Sequence, residues 1–187
     1  MSQVSILKLA AVSLCFVLLV AGQTGDTKNF SKDNLSFDYP GAWQFQDTSN
    51  GDAQQFTLIK ANSDVQIRVF VHRGRITPEK LADAKKAFID PYVAATEKQF
   101  VSMGANPELV SETTEIGGVQ ADGTSINASL GGEKGAAKIY WALLGQRVVV
   151  LTLFGPEKEM KQLMPAWDLV RTSLKVEDPK AKPAPKP

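Results

Sequence analysis

The chain has 187 residues, with 21 Lys and Arg against 20 Asp and Glu, a formal charge of +1 at pH 7. Apolar residue types make up 43% of it, ample for a packed core, and the balanced charge argues against electrostatic capture of nucleic acid or anionic lipid. The single cysteine, Cys15, excludes a disulfide framework within the chain.

The first residues address the compartment. Lys8 precedes an apolar run from Leu9 to Val20, followed by Ala21-Gly22 and a polar stretch from Gln23. That is the order of a secretory signal peptide: charged region, apolar region, small residues at the cleavage site. The run is about a dozen residues, short of the roughly 20 that span a bilayer as a helix. The reading is a signal over residues 1–22 cleaved near Gly22–Thr24, and an exported protein, periplasmic or extracellular, with no membrane span after cleavage. A retained signal would instead make it a signal-anchored envelope stress or assembly factor. Cys15 leaves with the signal.

Residues 23–34 are polar and expected to be flexible. Leu35-Ser36-Phe37-Asp38-Tyr39 then alternates with period two and reads as a strand. Pro40-Gly41 punctuates it, Trp43-Gln44-Phe45 resumes it, and Ser49-Asn50-Gly51-Asp52 turns. Phe56–Ile59 reads as the next strand. Val65, Ile67, Val69 and Val71 line one face of another, opposite Gln66, Arg68, Phe70 and His72.

Thr77-Pro78-Glu79 changes the period to that of a helix, with a capping residue, a proline at the first position and an acid in the first turn. Leu81, Ala84 and Phe88 form one stripe. Pro91 must interrupt it, because proline removes a backbone donor. Val93, Thr96, Phe100 and Met103 carry a second stripe, ending at Gly104.

Leu109–Ile116 turns through Gly117-Gly118 into a strand carrying Thr124, Ile126 and Ala128, a tight hairpin whose glycines accept positive φ. Asp122-Gly123 reads as a bulge within that strand or a turn before it, and 131–135 as a looser turn. Ile139, Trp141 and Leu143 form the inner face of the next strand, and Arg147–Phe154, apolar on both faces, reads as a central strand. Pro156-Glu157 opens a helix with Met160, Leu163, Met164, Trp167, Val170 and Leu174 on its buried stripe, kinked or restarted at Pro165. The Lys/Pro tail over 177–187 is too poor in apolar residues to pack and is expected to be disordered.

The predicted architecture is one α+β domain over residues 35–176, an antiparallel sheet of about six or seven strands with helices packed on its faces. This order, with Leu35-Ser36-Phe37-Asp38-Tyr39-Pro40 followed by Trp43, and with the terminal apolar strand, Pro-containing helix and Ser173-Leu174-Lys175-Val176, resembles the PsbP-like family over roughly residues 30–176. The resemblance implies the α/β/α sandwich that this family shares with a Mog-type nuclear-import factor that binds the GTPase Ran. It further implies a bacterial envelope member rather than a true photosystem subunit. The photosynthetic members support a manganese cluster, and no metal-handling pattern is matched in this sequence. The implied role is an accessory or binding module rather than an enzyme.

The chemistry-bearing candidates are few. His72 is the only histidine. With Arg73 and Arg75 in Val71-His72-Arg73-Gly74-Arg75, it is the candidate ligand-binding site, two guanidinium groups being suited to a carboxylate or phosphate. The alternatives are a solvated strand end, or a hydrolase using His72 with carboxylates supplied by the fold. No Gly-x-Ser-x-Gly elbow, zinc set or calcium loop occurs, so neither a catalytic residue nor a metal or cofactor is assigned. Trp141 and Trp167 read as core, and Ser125, Asn127 and Ser129 as a solvated strand face. The expected partner is a protein or small-molecule ligand of the envelope.

Overall fold

The structure, a computed structural model, describes residues 26–177. The segment expected to be a signal and the Lys/Pro tail beyond Glu177 lie outside the described residues. The strands are β1 (Thr27–Lys32), β2 (Leu35–Pro40), β3 (Gln44–Asp47), β4 (Ala53–Ile59), β5 (Gln66–His72), β6 (Glu108–Ile116), β7 (Val119–Leu130), β8 (Glu133–Leu144), β9 (Arg147–Pro156) and β10 (Lys175–Val176). Between β5 and β6 lie a 3-10 turn (Pro78–Lys80), the short helix α1 (Leu81–Ala84), a π-helical turn (Lys85–Ile89) and α2 (Asp90–Ser102). Helices α3 (Glu157–Gln162) and α4 (Met164–Ser173) precede β10.

Seven strands form the main sheet in the order β3-β4-β5-β9-β8-β7-β6, every pair antiparallel. A smaller sheet, β1-β2-β10, packs beside α4. The fold class is therefore α+β as predicted, with α1 and α2 on one face of the main sheet and α3, α4 and the small sheet on the other.

The core follows the alternation. Ile67, Val69 and Val71 of β5 and Phe56 and Leu58 of β4 point into the face covered by the small sheet and α4, meeting Phe37, Trp167 and Val170. Ile126, Ile139, Trp141, Val148 and Val150 point the other way, under Ile89 and Phe100 of the α1–α2 layer. Strand β9 is buried on both faces and central, as its two-sided apolarity requires. Each fully buried aliphatic or aromatic side chain adds about 1.5–3 kcal/mol. Trp43, Trp141 and Trp167 are all core residues.

Several local expectations change. Residues 27–32 are not a flexible lead but β1, paired along its length with β2 from Thr27↔Pro40 to Lys32↔Leu35. Its one large apolar residue, Phe30, packs among Phe37, Phe45 and Phe56, so pairing rather than alternation makes it a strand. Glu177, placed in the disordered tail, donates its N–H to the Asn34 carbonyl at 2.8 Å. The loose turn at 131–135 is a tight Gly131-Gly132 turn with φ of 59° and 89°. Met103, assigned to the buried stripe, is 42% exposed at the C-terminal cap of α2. Ser125 is buried and donates to Asn127 Oδ1 at 3.3 Å, whereas Asn127 and Ser129 are exposed.

Asp122-Gly123 is neither bulge nor turn. The register runs straight through it, Glu112↔Gly123↔Tyr140. A Cβ on Gly123 would stand 2.2 Å from Tyr140 Cδ1, so glycine is there to let the Tyr140 ring lie across the strand.

The interruption at Pro91 takes a specific form. Pro91 sits in the first turn of α2, lacks the N–H that would bond Ala87, and would crowd that carbonyl. The chain widens just before it, and the Asp90 N–H reaches back five residues to the Lys85 carbonyl. Farther on, the break at Pro165 is a restart, with α3 ending at Gln162 and Pro165 in the first turn of α4.

Candidate functional site

The α1–α2 layer does not cover its whole face of the sheet. Beyond it, β3, β4 and β5 present their outward side chains to an open groove of about 470 Å³, within the range of roughly 300–1,000 Å³ typical of ligand sites. The antiparallel registers bring Gln46, Thr57, Arg68 and Thr152 directly opposite one another across β3, β4, β5 and β9. Neighbouring strands lie about 4.8 Å apart, so these four polar groups make a line about 14 Å long across the groove floor. Gln55, Phe70 and Val150 form part of the adjacent row.

The helical wall of the groove carries Phe88 and Tyr92. Tyr92 closes the polar line at its inner end, its hydroxyl 3.3 Å from Thr152 Oγ1. Phe88 lies in the π-helical turn, where the wider winding resets the direction of its side chain relative to α2. Its ring packs on His72, centroids 4.6 Å apart. Arg68 directs Nε and a terminal nitrogen to Gln66 Oε1 at 3.3 and 2.9 Å and lies over the Phe154 ring. Among the described residues, it is the only charged one lining the groove.

His72, Arg73 and Arg75 are held by different partners and do not converge. The Nδ1 of His72 accepts the Gly74 N–H at 3.1 Å, and its ring borders the groove through Phe88 without lining it. Arg73 pairs with Asp33 Oδ2 at 3.1 Å and donates to the Asn50 carbonyl, tying two hairpin turns together. Arg75 donates to Gln146 Oε1 at 2.9 Å. Beneath them Arg147, only 5% exposed, donates to the His72 carbonyl, to the Asp33 carbonyl and to Gln54 Oε1. Burial pulls its guanidinium below the ordinary arginine value, and Arg73 pushes the same way while Asp33 opposes. Sequence reasoning missed Arg147. The available signal was a charged residue heading an otherwise apolar strand.

A second polar cluster lies near the other edge of the sheet, on the α4 side. Tyr140 donates to Glu112 Oε2 at 2.5 Å, and Lys138 Nζ lies 3.0 Å from the same oxygen. Burial opposes ionisation of Glu112, but the hydrogen bonds from Tyr140 and Lys138 outweigh it and hold the carboxyl below the ordinary 4.5. Tyr140 is pushed above the ordinary 10.0 by burial and by donation to that carboxylate. Its ring packs against Trp167, centroids 5.9 Å apart. Tyr140 is buried against α4 while Glu112 and Lys138 are part-exposed, and the cluster does not face the groove.

Among the described residues, no helix is long and apolar enough to cross a membrane.

No family profile and no curated protein matches the chain. Solved structures do. The cyanobacterial PsbP of Synechocystis sp. PCC 6803 is 19% identical, with 83% of this chain and 95% of that protein covered and a TM-score of 0.51. LpqN of Mycobacterium tuberculosis, a protein involved in cell envelope biogenesis, is 17% identical over 84% of this chain and 87% of its own, with a TM-score of 0.42. A Pseudomonas aeruginosa protein of unknown function, PA94, is 15% identical over 87% of this chain and 100% of its own, with a TM-score of 0.38. At these identities the likeness to the cyanobacterial protein is one of fold, and the chain has the PsbP-like fold.

Proposed function

We propose that this PsbP-like chain is an exported, non-catalytic binding or accessory protein of the periplasm or cell envelope, and that its ligand docks in the groove beside Phe88 and Tyr92. The observation that carries the reading is the groove itself. Its floor is hydrogen-bonded sheet and its wall a packed helix, so little ordering cost remains at the moment of binding. Its lining of amides, hydroxyls and aromatic rings is of the kind that orients a ligand. The signal-like order of residues 1–22 supports export.

Two measurements test it. N-terminal sequencing of the mature protein from the cell envelope is expected to begin at residues 23–25; a chain still starting at Met1 or Ser2 makes it the signal-anchored factor instead. The purified mature protein is expected not to turn over ester, phosphate or peptide substrates. Turnover that disappears with His72→Ala would overturn the binding reading in favour of the hydrolase.

A further inference from the structure

Resting on the groove as the binding site, we infer that its ligand is a carbohydrate chain, laid across the strands along the Gln46–Thr57–Arg68–Thr152 line with its inner end against the rings of Tyr92 and Phe88. Three features of the molecule lead there.

The first is the chemistry of the line. Amide and hydroxyl side chains both donate and accept, which matches the dual character of sugar hydroxyls. Among the described residues, the side chains of Gln46, Gln55 and Thr57 make no hydrogen bond to another side chain or backbone group, Gln55 bonding only through its backbone, leaving their capacity for a ligand. The lining carries one cation and no carboxylate, so it suits a neutral ligand or one bearing an occasional carboxylate, which Arg68 would meet.

The second is periodicity. A hydrogen-bonding group recurs at each strand, about every 4.8 Å, along an open trough rather than a closed cavity. A polymer of hydroxylated units can bond at successive steps of such a line, at Gln46, Thr57 and Arg68, with the buried Thr152 holding the Tyr92 hydroxyl at its inner end. A peptide adding to the sheet would pair with the backbone of the edge strand β3 and run along it, whereas this line of side chains crosses the face perpendicular to the strands.

The third is the aromatic wall. An aromatic face is electron-rich and accepts the polarised C–H groups of a pyranose ring. Phe88 and Tyr92 stand at the inner end of the line, and the π-helical turn at Phe88 is the kind of helix irregularity often found at functional sites.

The test is binding of the labelled mature protein to an array of bacterial and plant oligosaccharides of four or more units, followed by calorimetry with the strongest ligand. Binding is expected, weakened at least tenfold by Thr57→Arg and by Gln46→Ala, with the thermal midpoint of both variants within about 2 °C of the parent because both side chains lie at the groove surface. Phe88→Ala should weaken it comparably. No glycan above background, or a bound glycan indifferent to Thr57→Arg, overturns the inference. Selection of a peptide from a displayed library, with groove contacts and no glycan signal, overturns it in favour of a protein partner. In each of these outcomes the turnover assay still decides the broader binding reading separately.

Discussion

The α1–α2 face of the main sheet has two halves, β7 to β9 and β3 to β5, that differ in what lies over them. Under the helices, Ile126, Ile139, Trp141 and Val148 are buried and apolar. Beyond the helices, Gln46, Gln55, Thr57 and Arg68 occupy equivalent outward positions and stay wet. The opposite face is apolar where α4 and the small sheet cover it, and its polar groups, Gln54 with Arg147 and Glu112 with Lys138 and Tyr140, are bonded to one another. The contrast teaches that a polar row on a sheet face marks where the covering layer stops, and that a ledge left by such a stop becomes a groove when the helix end carries aromatics.

The sharpest way to break this comparison uses two adjacent residues of β4. Phe56 is buried beneath the groove, and Thr57 faces into it. Phe56→Ala should cost about 3–5 kcal/mol in chemical denaturation, the loss expected for a large core side chain. A cost below 1 kcal/mol would mean that the lower face is not packed as described.

Next in size is Gly123→Ala. The added methyl collides with the Tyr140 ring, and displacing a packed aromatic in this way costs about 1–3 kcal/mol. Combining it with Tyr140→Ala should remove most of the added penalty, since the collision then has no partner. Additive losses in that double variant would place the strain elsewhere.

Tyr140→Phe should cost about 1.5 kcal/mol, a typical figure for a hydrogen bond to a charged group. It should also reshape the pH dependence. Glu112 has a lowered folded pKa, so its contribution is present above 4.5 and is lost as pH falls through the folded value. Tyr140 has a raised folded pKa, so its contribution is complete below 10.0 and is lost as pH rises beyond that. The parent should therefore lose stability at both extremes, and Tyr140→Phe should flatten the alkaline arm measured by urea titration between pH 8 and 11. An unchanged alkaline arm would remove Tyr140 from that role.

The smallest expected effect is Thr57→Ala, within about 0.5 kcal/mol as for surface positions generally. Set beside Phe56→Ala, it separates the face that holds the fold from the face that is free to bind.

Much of the fold was legible in the sequence because the relevant signals are local. Alternation assigned the inward face of β5 and located β4. The Gly117-Gly118 turn, with positive φ at both residues, announces its hairpin. Pro91 and Pro165 mark helix interruptions that exist. The candidate site was less legible. The Val71–Arg75 stretch attracted notice through residue type, yet its three polar side chains serve three different turns. The groove residues drew none, since a polar strand face ordinarily means only solvent.

What the amino-acid order determined by itself is the period of each segment, its buried face and the positions of its breaks, because steric limits, backbone hydrogen bonding and side-chain alternation act within a few residues. The tertiary structure decided the rest. It made β1 a strand by giving it β2 to pair with, and it explained Gly123 by a tyrosine 17 positions away. It aligned Gln46, Thr57, Arg68 and Thr152 through pairings whose longest, β5 with β9, joins residues more than 80 apart. Register across such separations depends on how whole faces bury against their layers, and no short stretch of sequence contains that information.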